Sequence, residues 1–290
     1  MIYFYTNTKM FKNCRETEEY LCQLKELLQD IPRSKMELSV MPPFTALYKA
    51  REILEKRKDS SGNTDGTFAS AESENSQWNL THSAESPLQL CNIILGAQNV
   101  CGESEREYTG EISASMLKEA GVQLVMVGHS ERRRKLGETD EMINRKIHKA
   151  LEQEIIVLLS VSETLFEKQS GIPDETLRIQ LKKALAGVKA EQLPLVRILY
   201  EPAWAVGASG QKPTAEYAER KHLVIKKCLS ELYGLETGMK IPVIYGGSVN
   251  EENACEIITQ PHVDGLGIGR SAWDAQRFNR IIRMAMKIKQ

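Results

Sequence analysis

The sequence predicts an α/β fold, a closed barrel of eight parallel strands in which each strand is followed by a helix. Two observations lead to this fold. Short apolar runs alternate with amphipathic segments eight times, whereas an open parallel sheet usually has about five or six strands. Setting aside one polar segment of 30 residues leaves 260 of the 290, close to the roughly 250 that such a barrel needs. Residues 1–290 are therefore expected to form one (β/α)8 domain.

The predicted strands are the short apolar runs, which cover residues 2–6, 36–41, 91–97, 122–127, 155–161, 195–200, 241–245 and 263–268. The predicted helices follow them, and several carry leucines or isoleucines at three- and four-residue steps. They cover residues 16–30, 45–57, 113–120, 138–153, 175–189, 214–233, 250–259 and 275–288. Eight such units in succession fit a closed parallel barrel.

Residues 58–87 interrupt this alternation between the second helix and the third strand. The segment is rich in Ser, Asn, Asp, Glu and Gly and poor in aliphatic residues, so it cannot bury enough apolar surface to order itself. We therefore predict a flexible polar insertion at 58–87 within a single domain.

The composition of the chain excludes several classes of function. The chain has 38 Lys and Arg against 39 Asp and Glu, so it offers neither a basic surface for nucleic acid nor a polybasic arm for a membrane. Its six cysteines lack the spacing of a zinc site or a disulfide framework. The first residues do not read as a secretory signal, and no apolar run approaches ~18 residues. The sequence predicts a cytoplasmic protein with reduced thiols and no metal.

Glu201 directly follows the sixth apolar run, at 195–200. A desolvated carboxylate costs several kcal/mol unless it is paired or protonated, so packing alone would not place an acid there. At the carboxyl end of a barrel strand, an acid can face a pocket and act. The loop that follows, 202–213, begins with Pro and contains Trp, Gly207 and a second glycine, which is the composition of a lid. A lone acid could instead cap a helix, so the other strand ends matter.

Two other strand ends carry side chains suited to an anionic substrate. The first strand leads into Asn7 and Lys9, and a lysine at the mouth of a barrel can form an anion site. The fourth leads into His129, with Ser130 and Glu131 placed to open a short helix. The positive end of that helix disfavours the protonated ring, and a neutral imidazole can donate and accept at a substrate oxygen. Considered alone, a lysine at such a position is usually an ordinary surface residue, and a histidine is as often structural as functional.

The basic run Arg132–Lys135 resembles a nucleic-acid patch. Glu131, Glu138 and Asp140 flank it, and opposite charges this close in sequence favour local ion pairs. We therefore expect these acids to neutralise the run within the protein.

Two glycine-rich turns follow the last two predicted strands, at Tyr245–Asn250 and Gly265–Ser271. Glycines leave backbone amides accessible to a ligand, and a helix N-terminus favours negative charge. Either turn alone is common in proteins. Together, in the last two units of a barrel, they predict a phosphate site.

Eight motifs, spread over nearly the whole chain, resemble those of the triosephosphate isomerase family and follow the family's order. They are Asn7-x-Lys9-Met10, Pro42–Thr45, Gly96-Ala-Gln98-Asn99, Tyr108–Ser113, Gly128–Arg133, Tyr200-Glu-Pro-x-Trp-Ala205, Tyr245–Val249 and Val263–Gly265. The resemblance implies a TIM barrel enzyme that interconverts glyceraldehyde 3-phosphate and dihydroxyacetone phosphate through an enediolate, as in glycolysis and gluconeogenesis. It also implies that the reaction needs no cofactor or metal.

The resemblance implies a role for each site residue. Glu201 would be the base that removes a proton from the carbon next to the carbonyl, and His129 the neutral electrophile that polarises the carbonyl. Lys9, with Asn7 beside it, would offset the charge of the enediolate and the phosphate. The phosphate would be bound by the backbone amides of Gly207, Ser248, Gly269 and Arg270. The resemblance further implies a homodimer, in which the loop near Thr109 reaches the neighbouring subunit's site.

The sequence departs from the family's usual pattern around the site. Thr8 replaces a tryptophan, Ser160 a cysteine and Ser162 a glycine. The lid and the eighth loop also differ, since Gly269 is followed by Arg270 where a second glycine is usual. Both loops look like those of the branch that isomerises four-carbon tetrulose phosphates, such as erythrulose phosphate.

Three alternative functions have different signatures. A tetrulose-phosphate isomerase would use the same residues on a substrate one carbon longer. A Schiff-base aldolase would need a lysine buried in the barrel, commonly on the sixth strand, which ends instead in Glu201. A non-catalytic sugar-phosphate sensor would be expected to have lost one of the four groups that are all present here: Asn7, Lys9, His129 and Glu201.

Overall fold

The computed structural model describes residues 1–55, 93–205 and 212–289. Two predictions fall outside the described residues, namely the insertion at 58–87 and the position of Gly207 in the expected lid. Within the described ranges, no helix has the length and apolar character needed to cross a membrane.

Eight parallel strands close into one barrel. Each strand pairs with the next in chain order, and β1 pairs with β8, which places Tyr3 opposite Gly265. The strands are β1 Ile2–Asn7, β2 Met36–Met41, β3 Ile93–Ala97, β4 Leu124–Val127, β5 Ile156–Val161, β6 Val196–Tyr200, β7 Val243–Tyr245 and β8 Gly265–Gly267. All of them lie within the predicted runs or one residue beyond, so the predicted (β/α)8 fold class is confirmed.

Helices follow the strands and surround the barrel. Those in the described residues are α1 Cys14–Leu27, α2 Leu47–Glu55, α3 Ala114–Glu119, α4 Ser130–Leu136, α5 Asp140–Glu152, α6 Leu165–Gln169, α7 Pro173–Ala184, α8 Ala215–Tyr233, α9 Leu235–Lys240, α10 Ala254–Ile258 and α11 Ala275–Ile288. Each of the eight predicted helical segments overlaps one of them, and α1 and α7 begin two residues earlier than predicted.

Two short helices, α6 and α9, are not predicted, because five or six residues are too few to show a helical period. A local signal does exist for α6. The Thr164 side chain accepts the Glu167 N–H and the Glu167 side chain accepts the Thr164 N–H, which is a capping box. Another difference is that α10 begins four residues later than predicted, because the Asn250 side chain accepts the N–H groups of the next turn.

Strand residues alternate between two cores. The core inside the barrel consists of Tyr5, Met41, Leu124, Met126, Leu158, Leu199 and Ile244. The neighbours of Leu199 on β6, Ile198 and Tyr200, belong to the outer core between strands and helices. Because both faces are buried, the strands read as nearly continuous apolar runs. Glu201 is the first residue beyond β6, at the carboxyl end of the barrel.

An ion pair lies at the amino end of the barrel. Arg197 of β6 donates from Nη2 to Glu37 Oε2 of β2 at 3.0 Å, and from Nε to Glu37 Oε1 at 3.3 Å. The Tyr5 hydroxyl also donates to Glu37. Burial lowers the pKa of Arg197, but the Glu37 carboxylate outweighs burial and raises it, so the guanidinium stays charged.

Candidate active site

The carboxyl ends of the strands surround a cavity of about 60 Å³. Four side chains predicted from the sequence line it: Asn7, Lys9, His129 and Glu201. Glycines line it as well, at 246, 247, 267 and 269. Among the described residues, no group of three or more His, Cys, Asp or Glu could hold a metal ion. The barrel therefore brings the predicted groups of the first, fourth and sixth strands into one site.

Glu201 is buried, with 4% of its surface exposed. Its Oε2 accepts hydrogen bonds from the Ser160 hydroxyl at 2.5 Å and the Ser130 N–H at 3.3 Å, and its Oε1 lies 3.1 Å from His129 Nε2. Burial raises the pKa of the carboxyl. The charge and hydrogen bond of His129, together with the two serine donors, outweigh burial and lower that pKa to about 2. Glu201 is therefore ionised and can accept a proton.

His129 caps the N-terminus of α4. Its Nδ1 accepts the Glu131 N–H at 3.2 Å, so the proton of a neutral ring lies on Nε2, which faces Glu201. Burial lowers the pKa of the ring, but the charge and hydrogen bond of Glu201 outweigh burial and raise it. The direction is opposite to the one predicted from the helix N-terminus alone, because the sequence does not show how close Glu201 lies. A neutral ring therefore requires that the two side chains be separated.

Lys9 adopts a left-handed backbone conformation with φ +52°. This conformation is uncommon for a residue other than glycine and costs about 1 kcal/mol or more. Two side chains hold it there, since Asn7 Oδ1 accepts the Lys9 N–H at 3.0 Å and Gln98 Nε2 donates to the Lys9 carbonyl at 3.0 Å. The backbone strain thus coincides with a lysine whose side chain lines the cavity.

The sequence predicts the wrong ion-pair partner for Glu131, which lies near the site. It does not pair with the basic run Arg132–Lys135 but with Lys9, whose Nζ lies 2.7 Å from Glu131 Oε1. Burial raises the pKa of Glu131, but the hydrogen bond from Lys9 and the charges of His129 and Lys9 outweigh burial and lower it. The rest of the prediction is confirmed, because Glu138 and Asp140 each bind an arginine of the run at 2.5 Å.

Gly246, the first residue after β7, leaves room for the side chains of Leu199 and Glu201. A Cβ at this position would lie 2.8 Å from Leu199 Cδ1 and 3.0 Å from Glu201 Cγ. Separations this short are not tolerated without movement of one group. A larger residue at 246 would therefore displace Glu201.

The turn after β8 presents Gly269 to open space. A Cβ at Gly269 would meet nothing within 4 Å, and the residue lines the cavity. Two other predicted phosphate-binding residues, Ser248 and Arg270, are chain neighbours of the lining glycines 247 and 269, but they do not themselves line the cavity in the described structure. Of the predicted phosphate-binding residues, Gly269 thus lines the same cavity as His129 and Glu201, and Gly207 lies outside the described residues.

Glu163 follows β5 and is a second fully buried carboxylate, to which the sequence analysis assigns no role. Its Oε1 accepts hydrogen bonds from Tyr200 Oη, Trp204 Nε1 and Tyr217 Oη, each at 2.9 Å. Burial raises the pKa of Glu163, and these three donors only partly offset that rise. Trp204 lies three residues after Glu201, so this cluster fixes the chain where it leaves Glu201. No sequence spacing signals it, because its donors come from three different segments.

Comparison with known proteins identifies the family. The family model described as triosephosphate isomerase matches residues 2–68 and 77–285. The chain belongs to the triosephosphate isomerase family. The triosephosphate isomerases of Dictyoglomus turgidum and Carboxydothermus hydrogenoformans are 35% and 36% identical to it over 277 residues, which are 96% of this chain and 96% of each relative. The L-erythrulose-1-phosphate isomerase of Rhizobium meliloti is 34% identical over 280 residues, 96% of this chain and 94% of that protein.

A solved structure of the family supports the same assignment. The crystal structure of triosephosphate isomerase from Bartonella henselae has a TM-score of 0.76 and 29% identity, and the match covers 98% of both chains. The predicted family, TIM barrel fold and isomerase class are therefore confirmed. Of the departures from the usual pattern, Ser160 contacts Glu201 directly.

Proposed function

We propose that the protein acts as a triosephosphate isomerase, which interconverts glyceraldehyde 3-phosphate and dihydroxyacetone phosphate through an enediolate without a cofactor or metal. One arrangement supports this most. Glu201 Oε1 lies 3.1 Å from His129 Nε2 in a cavity that Lys9 and Asn7 also line. A base, a hydrogen-bond donor and a cation are the groups that proton transfer next to a carbonyl requires.

Glu201 removes the proton from the substrate carbon. In the structure its carboxylate is a weak base because, against burial, His129 and the serine donors lower its pKa to about 2. A substrate that lies between Glu201 and His129 removes the interaction with the ring. Burial, which raises the pKa of any carboxyl, then has more effect. Binding therefore turns Glu201 into the stronger base that catalysis near neutral pH needs.

His129 donates from Nε2 to the substrate carbonyl oxygen. Separation from Glu201 removes the charge that raises the pKa of the ring. Burial and the Glu131 N–H, which Nδ1 accepts, then favour the neutral form. A neutral imidazole can give its proton to one oxygen of the enediolate and take one from the other.

Lys9 and the glycine-rich turns bind the negative charge of the substrate. The Lys9 ammonium offsets the charge of the enediolate and the phosphate, while Asn7 holds the Lys9 backbone. Donors fixed in advance in a dry site stabilise such a transition state by several kcal/mol. The phosphate is bound by the backbone amides of Ser248, Gly269 and Arg270, and by that of Gly207, which lies outside the described residues.

The protein is a homodimer in this proposal. Met10 and Phe11, which follow Lys9, are 96% and 60% exposed, and large apolar side chains beside a catalytic residue indicate a surface that a partner covers. The loop near Thr109 of a second copy would cover it. Analytical ultracentrifugation should give twice the 32.7 kDa chain mass. Met10→Asp should weaken the dimer and the activity together, whereas a fully active monomer would contradict this part of the proposal.

We also place the protein in the cytoplasm. Its described cysteines are free thiols, as expected in a reducing compartment: Cys14, Cys22, Cys101, Cys228 and Cys255. Fractionation of cells that express a tagged full-length chain tests this location. Recovery of the chain outside the cytosolic fraction would contradict it.

A second candidate substrate is a four-carbon tetrulose phosphate. Arg270 stands where the family usually has a second glycine, and one relative at 34% identity is an L-erythrulose-1-phosphate isomerase. The catalytic groups would be the same for both substrates. The difference would lie in the space between those groups and the phosphate site.

A coupled assay of the purified protein distinguishes the candidates. For glyceraldehyde 3-phosphate we expect kcat/KM of about 10⁶ M⁻¹s⁻¹ or above, within the range of efficient enzymes. A tetrulose phosphate preferred by more than about tenfold would favour the second candidate. No turnover of any of these sugar phosphates, with inorganic phosphate still bound, would contradict both and leave a non-catalytic sensor.

A further inference from the structure

Trp273 connects two loops of the site. It follows the 3-10 turn Arg270–Ala272 after β8, and its N–H donates to the Arg270 carbonyl at 3.1 Å. Its indole Nε1 reaches the loop after β1 and donates to the Asn7 carbonyl at 2.9 Å. Its ring centroid lies 4.9 Å from that of Phe11, with the planes tilted by 42°.

The segment that Trp273 holds contains Lys9. The Phe11 N–H donates to the Thr8 carbonyl at 3.0 Å, which folds residues 8–11 into a turn. Trp273 therefore contacts both ends of a short segment whose middle is Lys9 at φ +52°. A strained backbone conformation persists only where several surrounding contacts hold it in place. The Asn7 and Gln98 side chains supply two constraints on Lys9, and Trp273 supplies a third from the opposite loop.

The other end of this connection is the turn proposed to bind phosphate. The turn begins after Gly269, whose face is open to the cavity. The buried Tyr20 hydroxyl of α1 donates to the Ala272 carbonyl at 2.6 Å, so the turn is fixed to the body of the protein. Trp273 therefore fixes the distance between two loops: the turn after β8, proposed to bind phosphate, and the loop after β1, which carries Lys9.

We infer that Trp273 is a positioning residue that fixes Lys9 relative to the phosphate-binding turn and thereby selects substrates by the distance between their phosphate and carbonyl groups. This inference rests on the proposed function. Trp273 acts through Asn7 and Lys9 and donates to a backbone carbonyl rather than to substrate. Loosening it should lower kcat and reduce the discrimination between three- and four-carbon substrates, with little effect on phosphate affinity.

The test compares two single substitutions in the full-length protein. Trp273→Phe keeps a ring beside Phe11 but removes the N–H donor. Tyr233→Phe is the matched control, because it removes a hydrogen bond from an aromatic side chain to a backbone carbonyl, that of Leu185, outside the site. The quantities measured are kcat and KM for glyceraldehyde 3-phosphate and for a tetrulose phosphate, and the inhibition constant of inorganic phosphate.

We expect Trp273→Phe to lower kcat for the preferred substrate about five- to tenfold, the effect of one hydrogen bond. The ratio of kcat/KM between the two substrates should shrink at least about threefold, with the phosphate inhibition constant unchanged within about twofold. Tyr233→Phe should leave kcat and the ratio within about twofold of the parent. If Trp273→Phe does not fold, Phe11→Leu removes the ring contact and keeps an apolar side chain there, and it should accelerate exchange of the Lys9 amide.

Hydrogen exchange of the backbone amides provides a readout that does not depend on turnover. Exchange of the Lys9 and Phe11 amides should accelerate in Trp273→Phe but not in Tyr233→Phe. Equal effects of the two substitutions, or a loss of phosphate affinity as large as the loss of kcat, would overturn the inference. If the parent protein isomerises none of the sugar phosphates, the proposed function fails, and exchange alone decides whether Trp273 positions Lys9.

Discussion

The two ends of the barrel each hold a carboxylate that is largely or fully buried, and they bind it differently. At the amino end, Glu37 forms two hydrogen bonds with the Arg197 guanidinium. At the carboxyl end, Glu201 is bound by two serine donors and the imidazole of His129. Arginine is always charged and cannot release its proton, whereas the imidazole can lose its proton or be displaced.

Burial does not distinguish the two acids. The Glu37 side chain is 11% exposed and the Glu201 side chain 5%. The difference lies in whether the partner can change its charge or move away. A permanent cation makes Glu37 a structural residue, while exchangeable partners leave Glu201 able to take up a proton.

The largest expected effect is that of removing the Glu201 carboxylate, the proposed catalytic base. Glu201→Gln should lower kcat by about 10² to 10⁴, the contribution of a positioned base, with the fold intact. Glu201→Asp should lower it by at least about 10², because the carboxylate is withdrawn from the substrate. Steady-state kinetics and circular dichroism check both, with Glu26→Gln on the exposed face of α1 as a control. Unchanged turnover would contradict the assignment of Glu201.

The next largest effect concerns the Arg197–Glu37 ion pair at the amino end, whose loss should change stability but not activity. Arg197→Met leaves Glu37 as an unpaired buried charge and should lower the free energy of unfolding by about 3 kcal/mol or more. The kcat of the folded variant should stay within about twofold of the parent, because the pair lies at the end opposite the site. Urea denaturation of Arg197→Met and of the double variant with Glu37→Gln tests this. A double variant no more stable than the single one would show that the charge is not the cause.

His222 extends the comparison to a buried group that stays neutral. Its ring is buried in α8, and burial lowers its pKa to about 4. An unfolded histidine has a pKa near 6.5, so between about pH 6.5 and 4 the unfolded chain binds a proton that the native protein does not. Stability should therefore fall as the pH falls through this window, by up to about 3 kcal/mol. Chemical denaturation at several pH values should show a shallower slope in His222→Gln, and an unchanged slope would exclude His222 as its source.

The smallest effect concerns a single partner of Glu201. Ser160→Ala removes a donor at 2.5 Å and should raise the pKa of Glu201 toward its ordinary value. Because a lowered carboxyl pKa contributes stability that is lost as the pH falls from about 4.5 to about 2, the variant should lose about 1 kcal/mol of that contribution at neutral pH. We expect kcat to change less than about tenfold. Ser160→Cys, which restores the residue usual in the family, is the matched comparison.

The order of residues along the chain was sufficient to predict the barrel and the four side chains that meet in its cavity. In a parallel barrel every strand ends on the same face, so Asn7, Lys9, His129 and Glu201 had to converge once each was placed at a strand end. The predicted strands agree with the structure for the same reason, since strands that are buried on both faces are apolar throughout.

Contacts between side chains of different units could not be predicted in this way. Glu131 reaches Lys9 rather than its basic neighbours, because α4 turns it toward the loop after β1. The pKa of His129 depends more on Glu201, 72 positions later, than on the helix that begins beside His129. Such contacts depend on distances across the barrel, which the pattern of one sequence does not contain.

The closure of the barrel between β1 and β8 affects the chain during its synthesis. Tyr3 pairs with Gly265, 262 positions later. At about 5 to 20 residues per second, a ribosome takes roughly 13 to 50 s to supply that partner. Until then one edge of β1 has unpaired backbone groups, which can pair with other nascent chains. The state most exposed to aggregation is therefore the nearly complete chain on the ribosome, and slower translation lengthens that exposure.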